Sequence, residues 1–279
     1  MSLCIGLHLH KTENQSYSEA LVALKEKYPQ LCDVQTFTHG PKGLKPVGYD
    51  PELLATAQEL NVNIIVHGSY TCVPWHKNKH LMKHTVDNII ASQKYQAIGA
   101  IAHMPYLPAE EMIDGLKDLV RMMRANNVGN KLILEISALP FDDTKSYETA
   151  EKLNKLSAEI RKHKFEPELS ICIDTAHVFA SGGKIRTYED AKKYVDTLDK
   201  RLISMIHLNG NSINPALKRG DKHELPLSEY DLIWGGLDYA ESGCRAFIEY
   251  VREYNLPCIL EVSRNHTDLE IQTFLDKIT

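Results

Sequence analysis

The sequence lacks several features that would place it in special protein classes. It contains no apolar run approaching the roughly 18 residues that a membrane-spanning helix needs. No apolar stretch of signal-peptide length opens the chain, since His8, His10 and Lys11 fall within its first dozen positions. No low-complexity tract, internal repeat or linker interrupts it. We therefore predict one soluble, intracellular domain spanning residues 1–279, with no membrane partner; the compartment inside the cell stays open.

The sequence also lacks an excess of basic residues. Lys and Arg number 32 against 37 Asp and Glu, which gives a formal net charge of −5. Proteins that bind nucleic acids are more often basic. Taken alone, the charge therefore argues against a nucleic-acid substrate.

Cysteine pairs with CxxC spacing are absent as well. The expected state of the cysteines is a buried, reduced thiol, which is typical of a reducing compartment. A bridge between Cys4 and Cys32 stays open, if neighbouring strands bring them together. The six cysteines are Cys4, Cys32, Cys72, Cys172, Cys244 and Cys258.

What the sequence does contain is an alternation of short apolar runs with longer segments of helical period. Nearly continuous hydrophobicity suits strands that are buried on both faces of a parallel sheet. Eight strand–helix units in 279 residues predict an α/β fold, a single (β/α)8 TIM barrel, with a doubly wound open sheet as the rival. The runs are Leu3–Leu9, Cys32–Phe37, Val62–His67, Ile98–His103, Leu132–Ile136, Ser170–Asp174, Leu202–Leu208 and Pro257–Glu261.

The segments between these runs carry helix signals. Apolar residues at helical spacing predict a helix around 112–123, and capping-box pairs predict helix starts after Ser16, Thr187 and Thr267. The longest irregular stretch, about 209–236, is polar and contains glycine. Such a stretch is typical of an active-site loop.

Side chains that commonly bind metals fall at the carboxyl ends of six predicted strands. In a barrel these ends share one face, which is where active sites lie. Five imidazoles with four carboxylates suit Zn²⁺ better than Mg²⁺ or Ca²⁺. Nine ligands are too many for one ion but enough for three, if one carboxylate bridges. The predicted ligands are His67, His103, Glu135, Asp174, His177, His207, Asp221, His223 and Glu261.

The remaining histidines are interpreted singly as hydrogen-bonded side chains. Glu135 and Glu261 differ from them because each lies inside an apolar strand, where an unpaired carboxylate is costly. Clustered divalent ions indicate phosphate-ester chemistry. The histidines outside the predicted metal site include His8, His10, His39, His76, His80, His84, His163 and His266.

With these motifs in place, the chain resembles the endonuclease IV family of apurinic/apyrimidinic (AP) endonucleases along nearly its whole length. Residues 172–182, CIDTAHVFASG, are close to the family's CIDTCH-x-F-A-x-G. Residues 67–70, HGSY, resemble its H-x-S-Y, and residues 205–209, MIHLN, resemble its M-H-L-N-D. Residues 220–223, GDKH, resemble its V-D-R-H, and residues 259–261, ILE, begin its I-L-E-T.

The resemblance implies how nine ligands would hold three zinc ions. His67 and His103 would bind one ion and Asp174, His207 and Glu261 a second, with Glu135 bridging the two. His177, Asp221 and His223 would hold the third. Mn²⁺ at one site stays open.

The resemblance further implies hydrolysis of the DNA phosphodiester 5′ to an abasic site, leaving a 3′-hydroxyl and a 5′-deoxyribose phosphate. Glu261 and Glu135 are the predicted catalytic residues, and Lys42, Tyr70 and Lys222 the predicted DNA contacts. The partner is double-stranded DNA containing abasic sites, and the protein is predicted to be a monomer. Three Zn²⁺ ions would change the net charge from −5 to about +1, which weakens the charge objection.

The chain departs from the family in several loops. The family's N-D after strand seven is Asn209-Gly210, its H-P-G is His103-Met104-Pro105, and the glycine-rich stretch after D-R-H is absent. Two alternative functions stay open. One is a metal-dependent sugar isomerase or epimerase on the same barrel, and the other is a non-catalytic binding protein that keeps the fold.

Overall fold

In a computed structural model, eight parallel strands close into a barrel. The structure describes residues 3–37, 50–72, 75, 78–138, 145, 147–214, 222–262 and 266–278. Around the barrel the strands follow chain order, and the last barrel strand pairs with the first. The predicted TIM barrel is thus confirmed and the open sheet excluded. The barrel strands are β1 (Gly6–His8), β2 (Asp33–Phe37), β3 (Asn63–His67), β4 (Gly99–His103), β5 (Lys131–Glu135), β6 (Leu169–Asp174), β7 (Ile203–His207) and β10 (Cys258–Leu260).

Helices follow most of the strands and form the outer layer. The predicted starts are confirmed, since Ser16, Thr187 and Thr267 each accept the backbone N–H three residues on. The predicted apolar face at 112–123 is buried in α4. The helices are α1 (Tyr17–Lys27), α2 (Pro51–Glu59), α3 (Lys79–Lys94), α4 (Ala109–Ala125), α5 (Ala150–Lys162), α6 (Thr175–Ala180), α7 (Tyr188–Thr197), α8 (Gly243–Tyr254) and α9 (Asp268–Ile278).

The sequence predicts a long active-site loop for the segment between β7 and α8. It contains a short antiparallel ribbon of two strands, β8 (Gly210–Asn211) and β9 (His223–Glu224). The ribbon extends from the carboxyl end of β7, so it places its side chains over the barrel's active-site face.

Two apolar layers hold the barrel together. The larger core lies between the sheet and the helices. The smaller layer fills the barrel interior with one buried residue from each of six strands. These inner residues are Ile65, Ile101, Ile133, Cys172, Met205 and Ile259.

The expected reduced state does not hold for all six cysteines. Cys4 and Cys32, the pair whose bridge the sequence leaves open, form a disulfide with their Cα atoms 5.6 Å apart. The physical reason is strand pairing: Gly6 on β1 lies opposite Asp33 on β2, which brings the preceding residues together. The four other cysteines are free and buried, as predicted.

None of the helices in the described part of the chain has the length and hydropathy required to span a membrane.

Candidate metal centre

The alternation of side chains along each strand places the candidate ligands over the inner apolar layer. Residues two positions apart on a strand point to the same side. Ile65 precedes His67 in this way, and Ile133 precedes Glu135. The same step leads from the other four inner residues to His103, Asp174, His207 and Glu261.

Glu135 lies at the centre of this set and is fully buried. One carboxylate oxygen, Oε2, lies 3.2 Å from Nε2 of His67 and 3.3 Å from Nε2 of His103. The other, Oε1, lies 3.0 Å from Nδ1 of His207. Burial alone would raise the pKa of Glu135, but the charges of His103 and His207 outweigh it and hold the pKa well below its usual range. Each oxygen of this carboxylate thus faces a different group of imidazoles.

A second group surrounds His207, which is also fully buried. Its Nδ1 lies 3.2 Å from Oε2 of Glu261 and 3.6 Å from Oδ2 of Asp174. Burial lowers the pKa of His207, but the negative groups around it, Glu261 and Glu135 among them, outweigh burial and raise the pKa well above its usual value. A single ring nitrogen therefore faces three carboxylates.

A third group of potential ligands lies at the junction between the end of β6 and the start of α6. Asp174 caps this helix by accepting the backbone N–H of His177 at 2.9 Å, which places His177 one turn above the strand end. His223 on β9 completes the group: its Nε2 lies 3.3 Å from Nε2 of His177 and 3.7 Å from Oδ2 of Asp174. The remaining predicted ligand, Asp221, lies outside the described residues.

These contacts make three adjoining groups of potential ligand atoms, and within each group the atoms lie within 4.8 Å of one another. Buried carboxylates facing imidazoles are costly without a cation, so the donor set fits bound metal ions. The structure brings eight of the nine predicted ligands together. The groups are His67, His103 and Glu135; Glu135, Asp174, His207 and Glu261; and Asp174, His177 and His223.

A fourth group, Cys4, Cys32 and Asp33, lies at the opposite end of the strands. Its two sulfur atoms are bonded to each other, and a disulfide supplies no thiolate ligand. The metal-type chemistry of the described residues is therefore concentrated at the carboxyl face.

A cavity of about 600 Å³ opens above the three groups. Its wall includes His8 and His10, for which the sequence alone indicates only hydrogen-bonded side chains. Burial and the neighbouring His10 lower the pKa of His8 to about 3, so that its ring is neutral. Both residues lie at or just beyond the carboxyl end of β1, and that position was the signal that could have placed them at the site.

Aromatic rings line the same cavity. Tyr70 is 52% exposed and stacks on His103 with ring centroids 5.4 Å apart. Phe37 stands beside it, with its ring centroid 5.9 Å from that of Tyr70. An exposed aromatic ring next to the candidate metal ligands can pack against a substrate.

Of the two lysines predicted to contact DNA, the structure places one near the site. Lys222 lies next to His223, with its ammonium 3.3 Å from Oε1 of Glu224. Lys42 lies outside the described residues.

Two amide side chains hold the carboxylates and were not predicted to belong to the site. Asn209 donates to Oδ2 of Asp174 at 2.7 Å and to Oε2 of Glu261 at 3.2 Å, and its own oxygen accepts the backbone N–H of Glu261 at 2.8 Å. Gln35 on β2 contacts both His207 and Glu261. Asn209 was visible as part of a family motif, but a glutamine inside an apolar strand gave no signal of its own.

The chain has relatives among known AP endonucleases. It is 26% identical over 250 residues to a probable AP endonuclease of African swine fever virus, and the alignment covers 86% of this chain and 82% of that protein. It is 27% identical over 203 residues to a probable endonuclease 4 of Finegoldia magna, and that alignment covers 68% of this chain and 70% of that protein. The resemblance to AP endonucleases noted from the sequence is therefore confirmed.

Solved structures share the fold at lower identity. The crystal structure of AsfvAP:AG superposes with a TM-score of 0.82 at 22% identity and covers 98% of this chain and 95% of that one. Endonuclease IV from Thermus thermophilus superposes with a TM-score of 0.75 at 19% identity and covers 99% of this chain and 98% of that one. The family model described as a xylose isomerase-like TIM barrel matches residues 33–270. The chain belongs to the xylose isomerase-like TIM barrel family.

Proposed function

We propose that this protein is a DNA-repair endonuclease that hydrolyses the phosphodiester 5′ to abasic sites in double-stranded DNA. The observation that carries the proposal is the sharing of Glu135 and Asp174 between adjoining ligand groups, which suits several ions side by side. The relatives named probable AP endonuclease and probable endonuclease 4 support the same activity. The products are a 3′-hydroxyl and a 5′-deoxyribose phosphate.

The proposed cofactor is three zinc ions per chain, with Mn²⁺ able to replace one of them. His67 and His103 would hold the first, and Asp174, His207 and Glu261 the second, with Glu135 contributing to both. His177, His223 and Asp221 would hold the third. Mixed imidazole and carboxylate ligands favour zinc over the hard cations.

When bound, zinc supplies Lewis acidity toward phosphate oxygens and lowers the pKa of a coordinated water to about 7. The protein's own residues supply the geometry. Glu261, whose Oε2 lies 3.2 Å from Nδ1 of His207, lies in the middle of the site and would help to orient the attacking water there. Glu135 keeps its two oxygens directed to different groups, so it fixes the spacing between them.

The DNA is proposed to cross the carboxyl face of the barrel. Tyr70 packs against the strand at the lesion, while Lys222 and Lys42 bind phosphates. An abasic nucleotide has lost its base, so turning it out of the helix costs less than turning out an intact one. We propose that the protein acts on this duplex as a monomer.

A sugar isomerase or epimerase is the alternative on the same barrel, since solved structures with this fold include a D-allulose 3-epimerase at 12% identity. Such an enzyme would use one or two metals. It would give no role to the third group, in which His177 and His223 face each other. Counting bound metal separates the two: about one ion per chain would support the isomerase.

The decisive experiment uses a duplex with a single stable abasic analogue and the zinc-loaded protein. Wild type should cut the strand once, on the 5′ side of the lesion, and Glu261→Gln should lose most of this cleavage while still folding. Glu253→Gln, an exposed glutamate on α8, is the matched control and should cut like wild type. Binding without cleavage by wild type would indicate a scaffold protein, and equal rates for wild type and Glu261→Gln would remove Glu261 from the mechanism.

A further inference from the structure

Gln35 lies in the middle of β2, is fully buried and points into the barrel. Its carboxamide lies between two of the proposed zinc ligands. The nitrogen Nε2 is 2.5 Å from Oε1 of Glu261, and the oxygen Oε1 is 2.9 Å from Nε2 of His207. One amide thus contacts a carboxylate and an imidazole that are 54 residues apart in the chain (261 − 207).

The orientation of this amide follows from hydrogen-bond chemistry. An ionised carboxylate can only accept hydrogen bonds. The side of Gln35 that faces Glu261 must therefore be the NH₂ group, and the side that faces His207 must be the carbonyl oxygen. Asn209 donates to the other oxygen of Glu261 at 3.2 Å, so amide groups hold both oxygens of this carboxylate.

A histidine that binds a metal keeps one ring proton, and the orientation of the amide decides which nitrogen of His207 carries it. A carbonyl oxygen has no hydrogen to give, so Nε2 of His207 must be the donor. Nδ1 is then the nitrogen whose lone pair is available to a metal. It is also the nitrogen that faces the carboxylates, 3.0 Å from Oε1 of Glu135 and 3.2 Å from Oε2 of Glu261.

We propose that Gln35 is a positioning residue for the metal centre: its carbonyl fixes the proton of His207 on Nε2, and its NH₂ group turns Glu261 so that Oε2 faces the metal. The inference rests on the proposed function, because it assigns Gln35 a role toward zinc at the group of Asp174, His207 and Glu261. Groups that orient a metal ligand in this way typically affect metal affinity about 10- to 100-fold.

Glutamine is suited to this position because an amide both donates and accepts. A glutamate at position 35 would place a second carboxylate against Glu261 and repel it. A methionine would fill a similar volume without either hydrogen bond. Comparing these two variants separates loss of the hydrogen bonds from added charge.

The experiment measures zinc affinity by competition with a chromophoric chelator in wild type, Gln35→Met and Gln35→Glu. Gln58→Met, an exposed position on α2, is the control and should bind like wild type. We expect Gln35→Met to bind one of the ions about 10- to 100-fold more weakly. Gln35→Glu should be weaker still, while the metal-free Gln35→Met protein unfolds within a few degrees of wild type.

Nitrogen NMR of the zinc-loaded protein tests the tautomer. Wild type should show a slowly exchanging proton on Nε2 of His207, and Gln35→Met should lose its protection from exchange. Unchanged zinc affinity together with an unchanged Nε2 proton would overturn the inference. A wild type that binds zinc but leaves abasic DNA intact would overturn the proposed function alone, and one that binds no zinc would overturn both.

Discussion

The carboxyl carbon of Asp231 lies 2.6 Å from the position that a Cβ at Gly210 would occupy. Asp231 is buried there because its two oxygens accept four backbone N–H groups, from Asn211, Leu227, Ile233 and Trp234. The aspartate that endonuclease IV-type motifs carry after Asn209 is thus replaced by glycine where another carboxylate already fills the space. Gly210 begins the ribbon that carries His223.

We expect Gly210→Ala to destabilise the protein by about 1–3 kcal/mol, because the added methyl group must displace Asp231 from its hydrogen bonds. For a chain of this size that corresponds to a fall in melting temperature of about 2–4 °C per kcal/mol. Differential scanning fluorimetry measures the change.

Gly129→Ala is the control for this substitution. The nearest neighbour of a Cβ at Gly129 is 3.9 Å away, so its melting temperature should stay close to that of wild type. Equal melting temperatures for the two variants would show that Asp231 moves aside without cost.

The proposed third zinc ion should depend on His177. His177→Ala removes one of the two described imidazoles of that group, so we expect the zinc content after dialysis to fall from three ions per chain to two. His163→Ala, a histidine near the end of α5 that contacts Glu159, should retain three. Plasma emission spectrometry gives the count, and a full complement of zinc in His177→Ala would contradict the assignment.

The stability of the metal-free protein should decrease as the pH rises above neutrality. The pKa of His207 is raised in the folded protein, so its contribution is complete below an unfolded pKa of about 6.5 and is lost as the pH rises through the folded value. Glu135 acts at the other limit. Its folded pKa is depressed, so its contribution is present above an unfolded pKa of about 4.3 and is lost as the pH falls through the folded value.

Bound zinc should reverse the loss of stability above neutral pH, because the metal competes with protons for the same nitrogens and carboxylates. Melting temperatures between pH 5 and 9, measured with a chelator and with excess zinc, test both statements. If the melting temperature of the protein in chelator rose from pH 7 to pH 9, the predicted loss of stability in the metal-free protein would be contradicted.

Tyr70→Ala should weaken DNA binding more than it slows cleavage. Stacking of an aromatic side chain on nucleic acid contributes about 1–3 kcal/mol, so KM for the abasic duplex should rise about 5- to 150-fold with a smaller change in kcat. Tyr254→Ala removes a ring at the end of α8 that contacts Lys200, and both constants should stay unchanged. An unaltered KM in Tyr70→Ala would exclude Tyr70 from the DNA surface.

Much of the site could be predicted because its signals are local. The strand ends at His67, His103, Asp174 and His207 agree with the prediction to the residue or within one residue. Strand alternation then placed these side chains inside the barrel. Glu135 was recognisable because a carboxylate in an apolar strand requires a partner.

The remaining features depended on contacts between distant parts of the chain. Gln35 meets His207 across 172 residues and Glu261 across 226, and a neutral amide has no composition signal that reveals such partners. The Cys4–Cys32 disulfide likewise required the register of β1 against β2.

The sequence by itself determined the order of strands and helices and which strands end in metal-type side chains, because hydrophobic period and residue type are properties of short segments. Only the closed barrel decided which carboxylate faces which imidazole, that Asp174 stands between two groups, and that Gln35 and Asn209 orient Glu261. The physical reason is the range of the interactions: a hydrogen bond acts over about 3 Å, so its partner is fixed only when β2, β7 and β10 are brought together.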